Sequence, residues 1–409
     1  MDKQATTLLI AVAAGALLGG IVGWWAPELG TSVQLLGDLW LRSLQMMIVP
    51  LVMASMVDGI ANLGDVRRLG GIGGRTLGYY LGTSTLAVCL GLLAVNLFEP
   101  GAGVSIEGAS GAAPDVAATD ASWRSIVLGL VPDNLLQAML DLDLLPIILF
   151  SLFFGVVLST LGEEGKALSN VVSQALTVIM KMVHVIMLLA PIGVFGLVAG
   201  RFGQAGGGAA VLDLLAGIGS FVLVVVGGLA IHGLVVLPAL LLVFARRNPL
   251  TYLRGVLDAV TTAFATASSA ATLPVTLRST EASGVERASA RFVLPLGATI
   301  NMDGSALYEA VAALFVAQAY GVDLTLGQQL IVALTSVLAS IGAAGIPEAG
   351  LVTMVIVLNA VGLPVEGIGL LLAVDWFLDR FRTAVNVWGD AVGAAIVDHT
   401  SSKAATSMG

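Results

Sequence analysis

Charged residues are scarce in this 409-residue chain. They make up 11% of the sequence, whereas hydrophobic residues make up 57% and the mean hydropathy is +0.98. A soluble chain of this length needs far more surface charge, so the composition excludes soluble domains and indicates an integral membrane protein. The net charge of −9, without a basic cluster, also argues against nucleic acid as a partner.

Cysteine and histidine are nearly absent. The single cysteine, Cys89, cannot form an internal disulfide. The three histidines are too scattered in the sequence to predict a metal site: His184, His232 and His399. Residues 250–398 contain no histidine, which argues against a serine–histidine protease within the membrane, and we expect no enzyme activity.

Long apolar runs predict a series of membrane spans. The runs cover residues 7–27, 40–62, 73–98, 122–161, 167–201 and 210–245. Several exceed the roughly 20 residues that cross a bilayer, which predicts tilted, kinked or broken helices. The first run is interpreted as a membrane helix and not a secretory signal, because Trp24, Trp25 and Pro27 replace a small-residue cleavage site.

The charges between the runs predict the orientation of the chain. Basic residues follow the second, fourth and sixth runs: Arg67, Arg68, Arg75, Lys166, Arg246 and Arg247. The long 99–121 connection is acidic: it contains no lysine or arginine, and its acidic residues include Glu107, Asp115 and Asp120. The positive-inside rule therefore places the basic loops and both termini in the cytoplasm, with Arg201 as an exception.

A stripe of polar residues runs through the otherwise apolar stretch 369–397. Its members are spaced by four, three, four and four residues: Asp375, Asp379, Arg382, Asn386 and Asp390. On a helix they fall within an arc of about 60–80°, with Thr383 at its edge. Ionisable groups at membrane depth are retained only where they pair or face a polar cavity. The stripe predicts a site for a charged, zwitterionic solute and cations, as in a transporter.

Two apolar segments are interrupted by small and polar residues at their centres. Residues 250–277 contain the run Thr266–Pro274, and residues 327–361 contain Ala339–Pro347. Such breaks occur at membrane depth only where they line a polar cavity. Paired broken helices in two halves of a chain indicate a secondary transporter built on an inverted repeat. Two ordinary kinked helices are the alternative.

A further polar motif lies between these segments. Asn301 and Asp303 stand in an apolar span, with Gly297 and Gly304 nearby to thin or unwind the helix. A carboxylate, an amide and freed carbonyls together provide the oxygen ligands that Na⁺ prefers. An ion pair between Asp303 and an arginine is the alternative.

The run Asn301-Met-Asp-Gly-Ser305 resembles the NMDGT signature of the dicarboxylate/amino acid:cation symporter family, the glutamate transporters. The resemblance covers nearly the whole chain and is most specific after residue 260. It is especially similar to the animal excitatory amino acid transporters in residues 306–313, 343–347, 349–357 and 374–383. The short external loop and tails suggest a prokaryotic member.

The resemblance implies an all-α fold with eight transmembrane helices, two re-entrant helical hairpins and inverted repeats, working as an elevator. Residues 1–72 would hold scaffold helices 1–2, residues 73–98 helix 3 of the transport domain, and residues 99–209 the external loop and scaffold helices 4–5. Residues 210–409 would complete the transport domain, with helix 6, hairpin 1 at about 250–277, helix 7, hairpin 2 at about 327–361, and helix 8.

The resemblance also implies the cargo and the partners. The chain would take up L-aspartate or L-glutamate with Na⁺, as a homotrimer among the lipids of the cell's inner membrane. It would need no cofactor beyond the co-transported Na⁺ ions. Coupling to H⁺ and counter-transport of K⁺ are left open.

Substrate contacts follow from position in the family. Arg382 would bind the side-chain carboxylate and Asp379 the α-amino group, while Asn386 and Thr383 would contact the α-carboxylate and amino ends. The remaining positions are Ser269 and Ile346 for backbone contacts, Met302 for coupling to the ions, and Ser305 for the threonine of the signature.

The family pattern implies three Na⁺ sites. The first would use Gly297, Asn301, Asn386 and Asp390. The second would use Thr299 with the carbonyls of Ser340, Ile341 and Ala343. The third would use Tyr80, Thr83, Ser84, Asn301 and Asp303. Without the family, the Thr83–Ser84 pair indicates helix packing.

Departures from the family pattern bear on proton coupling. Ala267 and Ala270 replace serines of the first hairpin, and Glu348 stands where animal members have glutamine. Glu309 is our candidate for carrying a proton, because an unpaired ionised carboxylate is disfavoured in a span. The alternatives are an ion pair of Glu309 with Arg380 or Arg382, and Glu348 as the proton acceptor.

Three other functions fit the charges of Asp379 and Arg382 less well than uptake of an acidic amino acid. A pure ion channel has no need for the pair of Asp379 and Arg382. A C4-dicarboxylate carrier is the main alternative, but its substrate has no amino group to neutralise Asp379. A neutral amino acid exchanger is disfavoured by the charge of Arg382.

Overall fold

The computed structural model describes residues 3–61, 70–102, 104, 131–140, 144–204, 206, 208–341 and 349–407. Helices are the only regular structure in these ranges, which agrees with the predicted all-α class.

The described residues up to 240 include ten α-helices. They are α1 (Lys3–Trp25), α2 (Pro27–Gln45), α3 (Ile48–Ala61), α4 (Gly70–Phe98), α5 (Leu135–Leu140), α6 (Leu144–Thr160), α7 (Lys166–Leu188), α8 (Ala190–Gln204), α9 (Gly208–Ile231) and α10 (Leu237–Leu240). Two π-helical turns, His232–Val236 and Leu241–Ala245, flank α10.

The described residues from 249 onward include seven α-helices. They are α11 (Pro249–Thr266), α12 (Ser269–Ala282), α13 (Arg287–Ile300), α14 (Asp303–Ala319), α15 (Leu326–Ile341), α16 (Ala349–Ala360) and α17 (Ile368–Ser407). The stretch 369–397, with its polar stripe, lies entirely within α17.

Within the part of the chain that the structure describes, three helical stretches are long and apolar enough to cross a membrane: Gly71–Phe98, Gly162–Ile186 and Leu215–Ala245. All three fall within or overlap predicted spans. The count of eight spans stays a prediction.

Two predicted spans are each divided between two helices. The 40–62 run is divided between α2 and α3, because α2 begins at Pro27 and carries Glu28, Asp38 and Arg42 on an amphipathic helix that hydropathy alone does not detect. The 167–201 run is two helices that separate at Leu189, two residues before Pro191 in the first turn of α8. Of the 122–161 run, residues 122–130 and 141–143 lie outside the described ranges.

The predicted break in the 250–277 segment is confirmed. Helix α11 begins with an Asn248 cap, whose Oδ1 accepts hydrogen bonds from the amides of Leu250 (3.0 Å) and Thr251 (3.2 Å). It ends at Ala267, which adopts a left-handed conformation with φ of 50°. Ser268 then caps α12 by accepting from the amide of Ala271. The two helices pack against each other, and α12 extends beyond the predicted end to Ala282.

The 327–361 segment also consists of two helices that pack together, α15 and α16. Its centre, residues 342–348, lies outside the described ranges. That this segment is a re-entrant hairpin, which enters and leaves the membrane on the same side, therefore stays a prediction. The inverted repeat also stays a prediction.

The helices form two packing groups. Helix α8 lies against α1 and α2, and α3 lies against α6 and α7. Glycines permit the closest of these contacts, since a Cβ at Gly19 would lie 2.5 Å from the carbonyl oxygen of Phe195. In the second group α17 contacts α9 and α11–α14, while α4 packs along α14. The division into a scaffold and a moving domain stays a prediction.

Candidate functional site

The polar stripe of α17 faces the interior of the second packing group. Its five residues, and Thr383 at its edge, are between 0% and 6% exposed: Asp375, Asp379, Arg382, Asn386, Asp390 and Thr383. Apolar helices surround it, so these charges are withdrawn from both lipid and water. Their pairing decides what the site can bind.

Arg382 is the centre of one half of the site. Its Nη1 lies 3.0 Å from Oδ1 of Asp375, and its Nη2 donates a 2.9 Å hydrogen bond to Oδ1 of Asp379. Its Cζ stacks 4.0 Å from the ring centroid of Tyr308 on α14. Nε and Nη1 have no hydrogen-bond acceptor of suitable geometry within the described structure. The guanidinium therefore keeps donors that an incoming carboxylate can use.

Glycines make room for this side chain. A Cβ at Gly350, near the start of α16, would lie 2.6 Å from Nη1 of Arg382. A Cβ at Gly304 would lie 2.7 Å from the carbonyl oxygen of Arg382. Both contacts bring α14 and α16 against α17, so the second broken segment borders the guanidinium.

The chain unwinds between α13 and α14, at the motif that the sequence singled out. Asn301 and Met302 have non-helical backbone angles, with ψ of 78° and 54°. Asn386 Oδ1 accepts a 2.7 Å hydrogen bond from the amide of Gly304, which is freed by the break. Its Nδ2 lies 3.3 Å from the sulfur of Met302 and 3.5 Å from Oγ of Ser305. The predicted unwinding is confirmed.

Most residues of the first predicted cation site lie together. Asn301 Nδ2 donates a 2.9 Å hydrogen bond to Oδ1 of Asp390. Gly297 is adjacent, since a Cβ there would lie 2.4 Å from the same oxygen. Asn386 lies one helical turn before Asp390 on α17. An amide, a carboxylate and nearby carbonyls are suitable oxygen ligands for Na⁺.

The third predicted cation site joins α4 to the unwound motif. Ser84 Oγ donates a 2.8 Å hydrogen bond to Oδ1 of Asp303, and Thr83 Oγ1 lies 3.3 Å from Oδ1 of Asn301. The Tyr80 hydroxyl donates to the Val293 carbonyl oxygen at 2.6 Å. Asp303 pairs with no arginine in the ranges described, so the alternative of an arginine pair finds no support.

The second predicted cation site is only partly described. Thr299 lies near the end of α13, while Ser340 and Ile341 end α15, and these two helices are in contact. The hydroxyls of Thr299 and Ser340 bond to the carbonyls of Leu296 and Val337 in their own helices. Ala343 lies outside the described residues, as do Ile346 and Glu348.

The first broken segment is tied to α17 by Arg380. Its Nη1 donates to the carbonyl oxygens of Phe264 (3.1 Å) and Ala265 (2.9 Å), near the carboxyl end of α11. A cation there offsets the partial negative charge of the last helical turn. Ser269, the predicted substrate contact, is buried at the start of α12 beside the same break.

Glu309 lies on α14 with a fully buried side chain. Neither carboxyl oxygen makes a hydrogen bond of good geometry to the described residues, although the Thr353 side chain of α16 lies beside the group. Its alternative partners are engaged elsewhere: Arg380 with backbone carbonyls and Arg382 with two aspartates. The structure shows no ion pair of Glu309 with either arginine.

Two residues were missed or undervalued by sequence reasoning. His232 contacts Asp303, with 3.2 Å between Nε2 and Oδ2. Tyr308 supplies the aromatic face under Arg382. An ionisable residue in a membrane span is a functional candidate by default, and this signal could have identified His232.

The fold and the site together define a helical membrane protein with an internal site that contains charges of both signs, as in carriers of charged solutes. A sequence profile of the sodium:dicarboxylate symporter family matches residues 8–400. The chain belongs to this family, whose members are transporters and not enzymes.

Individual relatives are similar in sequence to this chain over most of their length. The chain is 39% identical to excitatory amino acid transporter 3 of Mus musculus, over 90% of the chain and 79% of the relative. It is 38% identical to an excitatory amino acid transporter of Caenorhabditis elegans, over 96% of the chain and 88% of the relative. The human excitatory amino acid transporter 3 is 38% identical over 90% of the chain and 79% of the relative.

The close approach at Gly304 leads to a prediction about stability. Gly304→Ala should destabilise the protein by about 1–3 kcal/mol, because the new Cβ meets backbone atoms of Arg382 and forces α14 away from α17. The apparent melting temperature of the purified protein in detergent measures the effect. Gly227→Ala on α9 is the control, since a Cβ there meets nothing within 4 Å. Equal melting temperatures for the two variants would contradict the prediction.

Proposed function

We propose that this protein is a secondary active symporter that takes up L-aspartate or L-glutamate together with Na⁺. The observation that carries the proposal is the buried pair of Arg382 and Asp379, which offers one positive and one negative group 2.9 Å apart. An acidic amino acid presents the complementary set of charges. The relatives named as excitatory amino acid transporters support the same substrate class.

The unused donors of Arg382 suit the side-chain carboxylate of the substrate. A planar guanidinium binds a carboxylate through two parallel hydrogen bonds, which a lysine cannot do. Asp379 would accept the α-ammonium group, while Asn386 and Thr383 would contact the other end of the substrate. The Thr383 hydroxyl donates to the Asp379 carbonyl oxygen one helical turn earlier, at 2.8 Å, and Thr383 directly follows Arg382 in the chain.

A C4-dicarboxylate is the main alternative substrate. It would fill the position near Arg382 but would place a second carboxylate toward Asp379, where like charges repel. A neutral amino acid would leave the buried Arg382 without a carboxylate partner from the substrate. Both alternatives therefore fit the charges of the site less well than an acidic amino acid.

Na⁺ ions would bind beside the unwound motif. Asp390 with Asn301 and Gly297 would form one site, and Asp303 with Ser84 would form another. The second family site would use Thr299, Ser340, Ile341 and Ala343. Met302 and Asn386 touch each other between the substrate and ion positions, which supports coupling of the two.

The transport step we propose is an elevator movement within a homotrimer in the cell membrane. Helices α4 and α9–α17 would carry the site, while the helices of residues 1–72 and 99–209 would hold the trimer. Both termini would be cytoplasmic, as the basic residues Arg75, Lys166, Arg246 and Arg247 support. Eight spans and two re-entrant hairpins complete this arrangement.

Glu309 is our candidate for proton coupling. Its carboxyl group is fully buried without an ion pair to an arginine, and an ionised carboxylate is costly in such a place. A neutral acid can cross with the moving domain and release its proton on the other side. Glu348 is the competing candidate.

The first functional prediction concerns substrate and ion. Proteoliposomes containing the protein should accumulate radiolabelled aspartate or glutamate when an inward Na⁺ gradient is imposed. Replacement of Na⁺ by choline should abolish accumulation, because the buried carboxylates then lack their cations. Undiminished uptake in choline would disprove Na⁺ coupling. Equal or faster uptake of succinate would disprove the amino acid specificity.

The second prediction concerns Arg382. Arg382→Cys or Arg382→Ala should abolish binding of acidic amino acids and permit a small neutral one such as serine or alanine. Loss of the bidentate, desolvated pair should cost about 2–5 kcal/mol, which exceeds a tenfold loss of affinity. Equilibrium binding of labelled aspartate and serine measures both effects. A variant with near-normal aspartate affinity would show that Arg382 does not bind the substrate.

The third prediction concerns the proton. A pH-sensitive dye inside liposomes should report substrate-dependent acidification with the native protein. Glu309→Gln should remove it while Na⁺-coupled exchange continues, because the amide fills the same space without a titratable proton. Glu348→Gln is the matched variant. If Glu309→Gln acidifies at the native rate and Glu348→Gln does not, the proton is carried by Glu348.

A further inference from the structure

His232 occupies an unusual turn of a membrane-spanning helix. The first π-helical turn after α9 begins at this residue, and its side chain is fully buried. Trp388 of α17 fixes the turn by donating a 2.9 Å hydrogen bond from Nε1 to the Gly233 carbonyl oxygen. Single π-helical turns inside α-helices occur frequently at functional sites. The turn therefore holds the imidazole in one place against α14 and α17.

The imidazole contacts a residue of the proposed third cation site. Its Nε2 lies 3.2 Å from Oδ2 of Asp303, and the other oxygen, Oδ1, accepts the 2.8 Å hydrogen bond from Ser84. A carboxylate oxygen is an acceptor, so Nε2 carries the hydrogen and donates. Nδ1 has no hydrogen-bond partner in the described structure. The contact to Asp303 is thus the polar interaction that orients the ring.

We propose that His232 is a positioning residue for the cation site built around Asp303. Its Nε2–H and the Ser84 hydroxyl hold the two carboxylate oxygens from opposite elements, so the remaining lone pairs stay directed to the ion. His232 does not coordinate the ion itself. The inference rests on the proposed Na⁺-coupled function. It adds to the proposed cation site a residue from the π-helical turn that follows α9.

The surroundings of Asp303 support a positioning role. A Cβ at Gly389 would lie 3.3 Å from Oδ2 of Asp303 and 3.2 Å from Nδ2 of Asn301. The glycine therefore lets α17 approach both polar groups without filling the space between them. Ser84 donates to one oxygen of this carboxylate, and His232 supplies the second donor, on the other oxygen, that fixes its rotation.

The expected effect is on ion affinity. Groups that hydrogen-bond to a metal ligand without touching the metal typically contribute 10–100-fold to metal affinity, because they orient the ligand in advance. Loss of the His232 donor should raise the Na⁺ concentration for half-saturation by roughly 10–100-fold. At saturating Na⁺, the affinity for the amino acid should stay near the native value.

Three substitutions of His232 distinguish a role as hydrogen-bond donor from a role in packing. In His232→Gln the amide nitrogen can reach the position of Nε2 and donate to Asp303. In His232→Asn the amide is one methylene shorter and falls near the position of Nδ1. His232→Leu fills space without any donor. A positioning role predicts that the His232→Gln variant binds Na⁺ with native-like affinity. The His232→Asn and His232→Leu variants should bind Na⁺ weakly.

The experiment uses the full chain, purified in detergent without amino acid. Na⁺-dependent thermal stabilisation gives the half-saturating Na⁺ concentration for the native protein and each variant. His184→Gln is the control, because His184 is an exposed histidine on α7. Native Na⁺ dependence in His232→Leu, or an equal loss in the glutamine and leucine variants, would overturn the inference.

A second measurement does not require a folded His232 variant. The chain has three histidines. A double variant with His184→Gln and His399→Gln therefore retains His232 as its single histidine. Infrared difference spectra with ring-labelled histidine should show a histidine band that shifts when Na⁺ is added. An unchanged band would refute the coupling of His232 to the ion site. Absence of any Na⁺ effect on the native protein would instead refute the proposed function.

Discussion

The buried charge of Arg382 is the constraint on which the rest of the site depends. Removal of one partner from a buried ion pair costs about 3–5 kcal/mol, so the guanidinium must be neutralised whenever the site is closed. Asp375 and Asp379 do this from the same helix, and Tyr308 supports the guanidinium with its ring face. Gly304 and Gly350 allow α14 and α16 to approach closely enough to complete the enclosure. One side chain therefore explains why three helices meet here.

Helix α17 also compensates for the two breaks that it borders. A break at membrane depth frees backbone polar groups, and each must find a partner within the protein. Asn386 accepts the hydrogen bond from the Gly304 amide at the α13–α14 break. Arg380 donates to the carbonyls of Phe264 and Ala265 near the break after α11. The polar residues of α17 therefore serve the backbone as well as the ligands.

The balance of charge in the core gives a physical reason for ion coupling. Asp303, Asp375, Asp379 and Asp390 are all buried, and Arg382 is the fully buried arginine among them. The excess of carboxylates is costly in a medium of low dielectric unless cations accompany them. An acidic substrate adds further negative charge to the same region. Na⁺ ions beside Asp303 and Asp390 would offset both contributions, and their binding would thereby favour that of the substrate.

The sequence by itself determined the features that depend on local periodicity and backbone chemistry. The spacing from Asp375 to Asp390 predicts one helical face, and the Ser/Ala run near Ala267 predicts a break, because both are properties of neighbouring residues. Tertiary structure alone decided the contact of His232 with Asp303, 71 residues away, and the contact of Arg380 with Phe264, 116 residues away. It also decided the division of the 40–62 run, because α2 is amphipathic and packs against α8. No pattern in the chain encodes these pairings, since they arise from how whole helices pack.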